Sequence, residues 1–240
     1  MWSGRPASQD LPGLMSAETR PEVRVELHVH TLYSKDSLVD IERLLGHCRK
    51  IGIDRVAITD HNEIDGALAA FKMDPDRVIV GEEIQTTQGE LLGYFMRKKV
   101  PPGLEPMDAI RLLRAQGAVI SVAHPFDTVR SQHWALDELE KITPYIDAIE
   151  TYNARCLTEE PNQQAAIFAR DHDLLATVGS DAHSLFEIGR ASLWMPPFDG
   201  VEAFKAALKT AETNARLSPA FVHLFSRFAV FSKKIRKNLI

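Results

Sequence analysis

The sequence has few cysteines, and none of its apolar stretches is long. Only Cys48 and Cys156 occur among 240 residues, without the spacing of a metal-binding or redox motif. This usage favours a reduced intracellular protein over a secreted one that is stabilised by disulfides. No apolar run has the length of a transmembrane helix, and the N-terminus lacks the charged-then-apolar order of a secretion signal. We therefore expect a cytoplasmic location and no transmembrane segment.

Acidic residues are absent from the last part of the sequence. The net charge is −5, yet residues 216–240 contain six cations and no Asp or Glu, so the remainder carries −11. The overall balance excludes a generic polyanion binder. Apolar residues such as Phe221, Leu224 and Phe228 recur between the cations at helical spacing. The pattern predicts a basic amphipathic helix over 216–240 that packs on the rest of the chain, lies on a membrane surface or contacts nucleic acid.

Strand-like and helix-like segments alternate through the middle of the chain. Residues 1–21 are rich in Ser, Pro, Gly and Ala, and we expect them to form a flexible N-terminal arm. Residues 22–215 contain strands separated by helices, without an internal repeat. This order indicates βαβ units and an α/β fold with a mainly parallel sheet, closed or nearly closed into a barrel. A turn signal at 86–89 adds a hairpin between the third strand and the segment 90–96.

Histidines and carboxylates lie at the ends of successive predicted strands. In a parallel β/α barrel these carboxyl ends form one face, so residues that are far apart in sequence converge on one pocket. Taken singly, each motif has an ordinary explanation, such as a helix-capping turn or solvated surface. Their joint placement favours a metal site. The residues concerned are His28, His30, Asp60, His61, Glu82, Glu83, His124, Glu150, Asp181 and His183.

A metal site explains why one pocket needs so many of these side chains. Carboxylates without partners repel one another, and burying them is costly. Side chains alternate along a strand, so His28 and His30 would face the same side and could hold one ion. The candidate ligands exceed what one tetrahedral site uses. We therefore expect two or three divalent ions, with Mn, Zn or Fe suited to imidazole and carboxylate and Mg as a further candidate.

Six short stretches resemble the PHP (polymerase and histidinol phosphatase) family of metal-dependent phosphoesterases. They occur in the family's order at residues 26–37, 58–62, 80–84, 123–127, 149–155 and 179–183. The resemblance implies a distorted seven-stranded β/α barrel with a trinuclear metal site at the carboxyl ends of the strands. It covers most of residues 22–200.

The resemblance also implies a ligand set. His28, His30, Glu83 and Asp181 would hold one ion, and Glu83 would bridge to a second ion held by His124. Asp36, His61 and His183 would hold a third. Glu83 is preferred over Glu82 because it directly precedes the apolar Ile84. On the fifth strand, Glu150 and Asn153 are both candidates, and Glu150 is favoured because carboxylate binds such ions more strongly than amide.

By the same resemblance, a metal-bridging hydroxide attacks the phosphorus of a phosphate ester. Arg155 and Arg130 are candidates for neutralising the phosphate. Protonation of the leaving oxygen falls to Asp60 or to a metal-bound water.

The motifs look most like the stand-alone branch of the family. That branch includes nucleoside 3′,5′-bisphosphate phosphatases and 5′-to-3′ exonucleases, so the expected partner is a phosphorylated small molecule or a short single-stranded nucleic acid. Only about forty residues separate Glu83 from His124, so we expect a small lid or none, and an open pocket. The alternatives are a histidinol-phosphate-type or generic phosphatase, a metal-dependent hydrolase of carbon–nitrogen bonds, and a non-catalytic metal-binding module.

Overall fold

The computed structural model describes residues 22–130 and 132–238, so the predicted arm at 1–21 lies outside the described residues. The strands in this part are β1 (Val23–Val29), β2 (Arg55–Ile58), β3 (Val78–Gln85), β4 (Glu90–Tyr94), β5 (Val119–Val122), β6 (Ala148–Asn153), β7 (Leu175–Gly179), β8 (Ala191–Met195) and β9 (Glu212–Ala215). The helices are α1 (Ile41–Ile51), α2 (Asp65–Met73), α3 (Pro106–Arg114), α4 (Leu136–Ile142), α5 (Glu160–Asp171), α6 (Gly200–Leu208) and α7 (Val222–Asn238), with a short 3₁₀ helix at Thr143–Tyr145.

All the strands belong to one sheet, in the order β7-β6-β5-β4-β3-β2-β1-β8-β9. The sheet nearly closes between β1 and the segment after β7, because the His30 amide donates to the Ala182 carbonyl at 2.9 Å. The Ala182 amide in turn donates to the His28 carbonyl. The predicted α/β, nearly closed barrel is therefore confirmed.

The strand count and directions differ from the prediction. The described part has nine strands rather than seven. Strand β4 returns along β3 through a tight turn, closed by the Thr86 amide and hydroxyl on the Gly89 carbonyl, and separates β3 from β5. Strands β8 and β9 add antiparallel pairs beyond β1. Half of the pairings are consequently antiparallel, although the site-bearing β1, β2 and β3 are mutually parallel, as are β5, β6 and β7.

Helix α1 illustrates how the sequence sets the outer layer. The Asp40 carboxylate accepts a hydrogen bond from the Arg43 amide at 3.1 Å and caps the first turn. Gly52 ends the helix at φ 72°, a conformation that costs glycine little. Between these caps, Leu44 and Cys48 are buried against the sheet. The helix therefore covers the barrel with one face, and the residues before it lead from β1 into the site.

Helix α7 packs on the barrel with one side. Val222 and Ala229 are buried, and the Arg155 guanidinium donates to the Ser226 hydroxyl at 2.6 Å. The Lys233 ammonium donates to the carbonyls of Leu32 and Ser34 in the loop after β1. Among the described residues, no helix has both the length and the apolar character needed to cross a bilayer.

Two adjacent leucines of α3 test how the fold is stabilised. Leu113 is fully buried, whereas Leu112 is 43% exposed. We expect Leu113→Ala to lower the free energy of unfolding by about 2–5 kcal/mol, because it leaves a cavity in the core. Leu112→Ala should change it by less than about 1 kcal/mol. Urea unfolding followed by circular dichroism measures both. Equal losses of unfolding free energy in the two variants would contradict the burial of Leu113 in the core.

Candidate metal centre

The carboxylate of Glu83 is the centre of the site, because four histidines converge on it. Its Oε2 lies 2.9 Å from His61 Nδ1, 3.3 Å from His28 Nε2 and 3.4 Å from His30 Nε2. Its Oε1 lies 2.9 Å from His124 Nε2. These histidines come from β1 and from the residues after β2 and β5. The convergence follows from the barrel, which gathers the carboxyl ends of its strands on one face.

A second group of side chains extends the site. Asp181 Oδ1 lies 3.1 Å from His30 Nε2. Asp36 Oδ2, in the loop after β1, lies 3.4 Å from His61 Nε2 and 3.3 Å from His183 Nε2. The structure thus brings together all the metal ligands predicted from the sequence except Glu150. Except for Asp36 and His61, which are partly exposed, they are buried.

The chemistry of these donors fits metal ions. Several buried side-chain atoms of these residues have no hydrogen-bond partner among the described residues, although burying a polar atom without one is costly. These atoms are His28 Nε2, His30 Nε2, Glu83 Oε2, Asp36 Oδ1 and Asp181 Oδ1. Three overlapping groups have ligand atoms close enough to share an ion: His28–His30–Glu83, His30–His61–His183 and His61–Glu83–Glu90. Overlap of this kind suits a centre of more than one ion.

The electrostatics of the cluster follow from carboxylates and imidazoles that are buried against one another. Burial lowers the pKa of His28 and of His61, but Glu83 outweighs it and holds both well above the ordinary range. Burial raises the pKa of Glu83, but His61 and His28 outweigh it and hold that pKa well below the ordinary range. Burial likewise opposes ionisation of Asp181, whose pKa is held well below its usual value by Arg130 and His28. Burial, together with His183 and His61, lowers the pKa of His30 to about 3. Ionised carboxylates and neutral imidazoles bind metal ions, so metal binding here would release the protons of His28 and His61.

Asp60 lies behind the histidines and does not face the shared space. Its carboxylate accepts hydrogen bonds from the Thr31 amide and hydroxyl, both at 2.6 Å, and from the Ser34 hydroxyl at 2.7 Å. Ser34 Oγ also lies 3.1 Å from His30 Nδ1 and accepts from the His61 amide. This position suits a residue that orients two histidines, as the outer partners of metal ligands do. It does not suit the predicted donor of a proton to the leaving group.

Glu150 also lies behind the cluster. Its Oε1 is 2.9 Å from His28 Nδ1, and its Oε2 accepts from the His124 amide at 2.9 Å and from the Asn153 side chain at 3.0 Å. Both oxygens are therefore engaged with groups that hold the ligands in place. The structure favours an orienting role for Glu150, with Asn153 in support of it, over the role of ligand to a second ion.

Glu90 is the site residue that the motif pattern does not reveal. It is buried at the start of β4, with Oε1 3.8 Å from His61 Nδ1 and Oε2 3.5 Å from His124 Nε2. Its carboxylate therefore lies beside two histidines of the cluster. The sequence feature that could have identified Glu90 is a carboxylate at the start of an otherwise apolar strand. Glu82 points elsewhere, as expected, and its carboxylate accepts from the Val100 amide at 2.9 Å.

The two arginines differ in how much of their hydrogen-bonding capacity the protein uses. Arg155 is buried, with Nε 3.1 Å from the Glu187 carboxylate and Nη2 donating to Ser226. Arg130 is partly exposed, and its Nη2 lies 2.6 Å from Asp181 Oδ2. Both line a cavity of about 290 Å³ together with His223. Arg130 is therefore the better placed of the two to meet an incoming anion.

The backbone is strained at two of the ligands. His124 has φ 26° and Asp181 has φ 52°, in the left-handed region that residues other than glycine seldom adopt. Such conformations persist where the surrounding structure holds them, and they are common at functional sites. At Asp181 the turn follows Gly179 and brings the carboxylate back toward β1.

Comparison with known proteins agrees with this geometry. The sequence model of the PHP domain matches residues 26–116, and that of a PHP-associated domain matches residues 159–213. An uncharacterised protein of Methanocaldococcus jannaschii is 38% identical over 173 residues, which cover 70% of this chain and 69% of the relative.

Solved structures share the fold at low sequence identity. A two-domain protein of Bacteroides vulgatus, described as containing a predicted PHP-like metal-dependent phosphoesterase, has a TM-score of 0.67 and 16% identity, over 90% of this chain and 70% of its own. The lesion-specific endonuclease EndoQ of Pyrococcus furiosus has a TM-score of 0.61 and 17% identity, over 83% of this chain and 60% of its own.

Two glycines provide a matched test of the site. A side-chain carbon at Gly179 would overlap the Cβ of His28, whereas one at Gly46 in α1 would meet nothing within 4 Å. We expect Gly179→Ala to displace His28 and to lower bound metal at least about tenfold, the scale on which lost ligand orientation acts. Gly46→Ala should retain its metal and be slightly more stable. Elemental analysis after dialysis against Mn or Zn measures the content. Full metal loading of Gly179→Ala would contradict the placement of His28 at the centre.

Proposed function

Because the chain belongs to the PHP family, we propose that it is a metal-dependent phosphoesterase acting on phosphate esters of nucleotides or short oligonucleotides. The observation that carries this proposal is the Glu83 carboxylate in contact with four histidines from three strand ends. Proteins of similar fold include one described as containing a predicted PHP-like metal-dependent phosphoesterase and a lesion-specific endonuclease, which supports hydrolysis of phosphate esters as the reaction class.

The cluster has the ligands for two or three ions. His28, His30 and Asp181 would hold one ion with Glu83, and Glu83 would bridge to an ion held by His124. Glu90 completes that second set better than Glu150, because its carboxylate faces His124 and His61. Asp36, His61 and His183 would hold the third ion. When bound, such ions activate water and stabilise the charge of a phosphoryl group in transfer.

Arg130 has the position to bind the phosphate of the substrate. It borders a cavity beside the cluster, and its guanidinium contacts Asp181 and Asp127 while staying partly exposed. A planar guanidinium donates two parallel hydrogen bonds to phosphate oxygens. Arg155 would contribute positive charge to the same cavity, but its own donors hold Glu187 and α7. We therefore assign Arg130 to the phosphate and Arg155 to positioning.

The adjacent glutamates Glu82 and Glu83 give the sharpest test of the metal chemistry. We expect Glu83→Gln to lose metal and activity by more than the roughly 10–100-fold that loss of an outer partner costs. Glu82→Gln should keep both, because Glu82 contacts Val100 away from the cluster. The assay measures release of phosphate and nucleotide with added Mn, Zn or Mg. Its substrates are a nucleoside 3′,5′-bisphosphate, a 5′-phosphorylated oligonucleotide and an aryl phosphate.

The outcomes of that assay separate the candidate functions. Hydrolysis of the nucleotide substrates well above the aryl phosphate supports the proposal. Hydrolysis of the aryl phosphate alone would contradict the proposed nucleotide substrate but would still support a phosphoesterase activity. Bound metal in the unchanged chain, without hydrolysis of any substrate, would instead identify a non-catalytic metal-binding module.

The role of Arg130 predicts a specific kinetic defect. Loss of a charged hydrogen bond to the substrate costs about 1.5–3 kcal/mol. We therefore expect Arg130→Ala to lower kcat/KM about 10–100-fold when it is measured at saturating metal, a condition needed because Arg130 also contacts the ligand Asp181. Arg170→Ala, on the exposed surface of α5 beside Asp171, is the matched control and should leave kcat/KM unchanged. Unchanged kcat/KM in Arg130→Ala would contradict its role at the phosphate.

A further inference from the structure

Helix α7 exposes a continuous apolar stripe, although it packs on the barrel. Leu224, Phe228 and Phe231 are 60%, 62% and 61% exposed, and Phe221 and Ile235 extend the same row. The spacing of three and four residues places Leu224, Phe228, Phe231 and Ile235 on one side of the helix, and Phe221 directly precedes its first residue. Exposed patches of this kind mark interaction sites more often than ordinary surface.

The stripe and the docked side of α7 point in different directions. At 3.6 residues per turn, the buried Val222 and Ala229 lie roughly 120–140° around the helix axis from the centre of the stripe. Lys233, on the docked side, donates to the carbonyls of Leu32 and Ser34. The barrel therefore contacts one side of α7, and the stripe faces another side.

The loops around the mouth of the site continue the apolar surface. Phe186, half exposed in the loop after β7, has its ring 5.8 Å from that of Phe221. Leu38 shares a cavity with Phe228, and Val129 is exposed beside the cavity that contains Arg130. The apolar face thus extends from α7 to several loops that surround the metal centre.

Charge narrows the identity of the partner. Residues 216–240 contain six cations and no carboxylate, in a chain whose remainder carries −11. Arg227 and Lys234 are exposed, and each directly precedes an apolar residue of the stripe, so they follow one flank of it. A second copy of the chain would bring like charges together along this seam. A bilayer with anionic headgroups matches both the apolar stripe and the cations beside it, because its interior is apolar and its boundary is negatively charged.

We propose that α7, with the apolar loops beside it, docks the protein on an anionic phospholipid bilayer. The stripe inserts into the boundary between headgroups and acyl chains, while Arg227 and Lys234 contact lipid phosphates. The metal centre then lies next to the lipid surface, because the loops that contact the lipid also surround the metal centre. This docking does not depend on the identity of the substrate.

Sedimentation with vesicles of the full-length protein tests the docking. We expect binding to vesicles that contain 30–50% phosphatidylglycerol (an amount chosen on the order of natural anionic membranes) and weak binding to pure phosphatidylcholine. The double variant Phe228→Ser with Phe231→Ser should lose at least about tenfold in partitioning, because two exposed aromatic side chains are removed. Phe71→Ser, at an exposed phenylalanine of α2, is the matched control and should bind like the unchanged protein.

Charge and specificity are tested in the same assay. Arg227→Glu with Lys234→Glu should weaken binding to the anionic vesicles, and Lys209→Glu on the far end of α6 should not. Equal binding of the Phe228/Phe231 variant and the unchanged protein would overturn the proposal. So would binding to single-stranded RNA without binding to vesicles, or a dimer in light scattering that the Phe228/Phe231 variant abolishes. Glu83→Gln should bind vesicles normally, which separates this proposal from the proposed phosphoesterase activity.

Discussion

The contact of four imidazoles with the carboxylate of Glu83 is the constraint on which the rest of the site depends. A buried carboxylate is costly unless opposite charge compensates it. Here that compensation has to come from groups on β1, β2 and β5, so the barrel must close for the ligands to meet. Closure is local and well defined, because Ala182 exchanges hydrogen bonds with the backbone of His28 and His30. The same few residues thus close the barrel and provide the metal ligands.

Around this centre the protein places a layer of side chains that orient the ligands. Glu150 contacts His28, and Asp60 acts on His30 through Ser34. Neither residue reaches the shared space, yet each fixes which nitrogen of an imidazole faces it. Loss of such an outer partner costs about 10–100-fold in metal affinity. The division explains why a chain can have more acidic residues at its strand ends than its ions can bind.

Sequence patterns predict the barrel and the gathering of the ligands, because alternating strands and helices leave few arrangements and strand ends share one face. They do not distinguish a ligand from its support. Glu150 and Glu90 are both acids on buried strands, and only the antiparallel return of β4 and the shifted register of β6 decide which faces His124. Strand β9 was also beyond prediction, since Glu212–Ala215 is a polar edge segment without alternation of apolar residues.

The order in which the ligands occur along the chain has a consequence for biosynthesis. His28 and His30 are made before β2, whereas Asp181 and His183 follow β7. Contacts over such separations form late in folding, because their loop-closure entropy must be offset first. A growing chain on the ribosome therefore contains His28, His30 and Glu83 before Asp181 and His183 exist. Assembly of the complete set of ligands is consequently expected to follow the synthesis of β7.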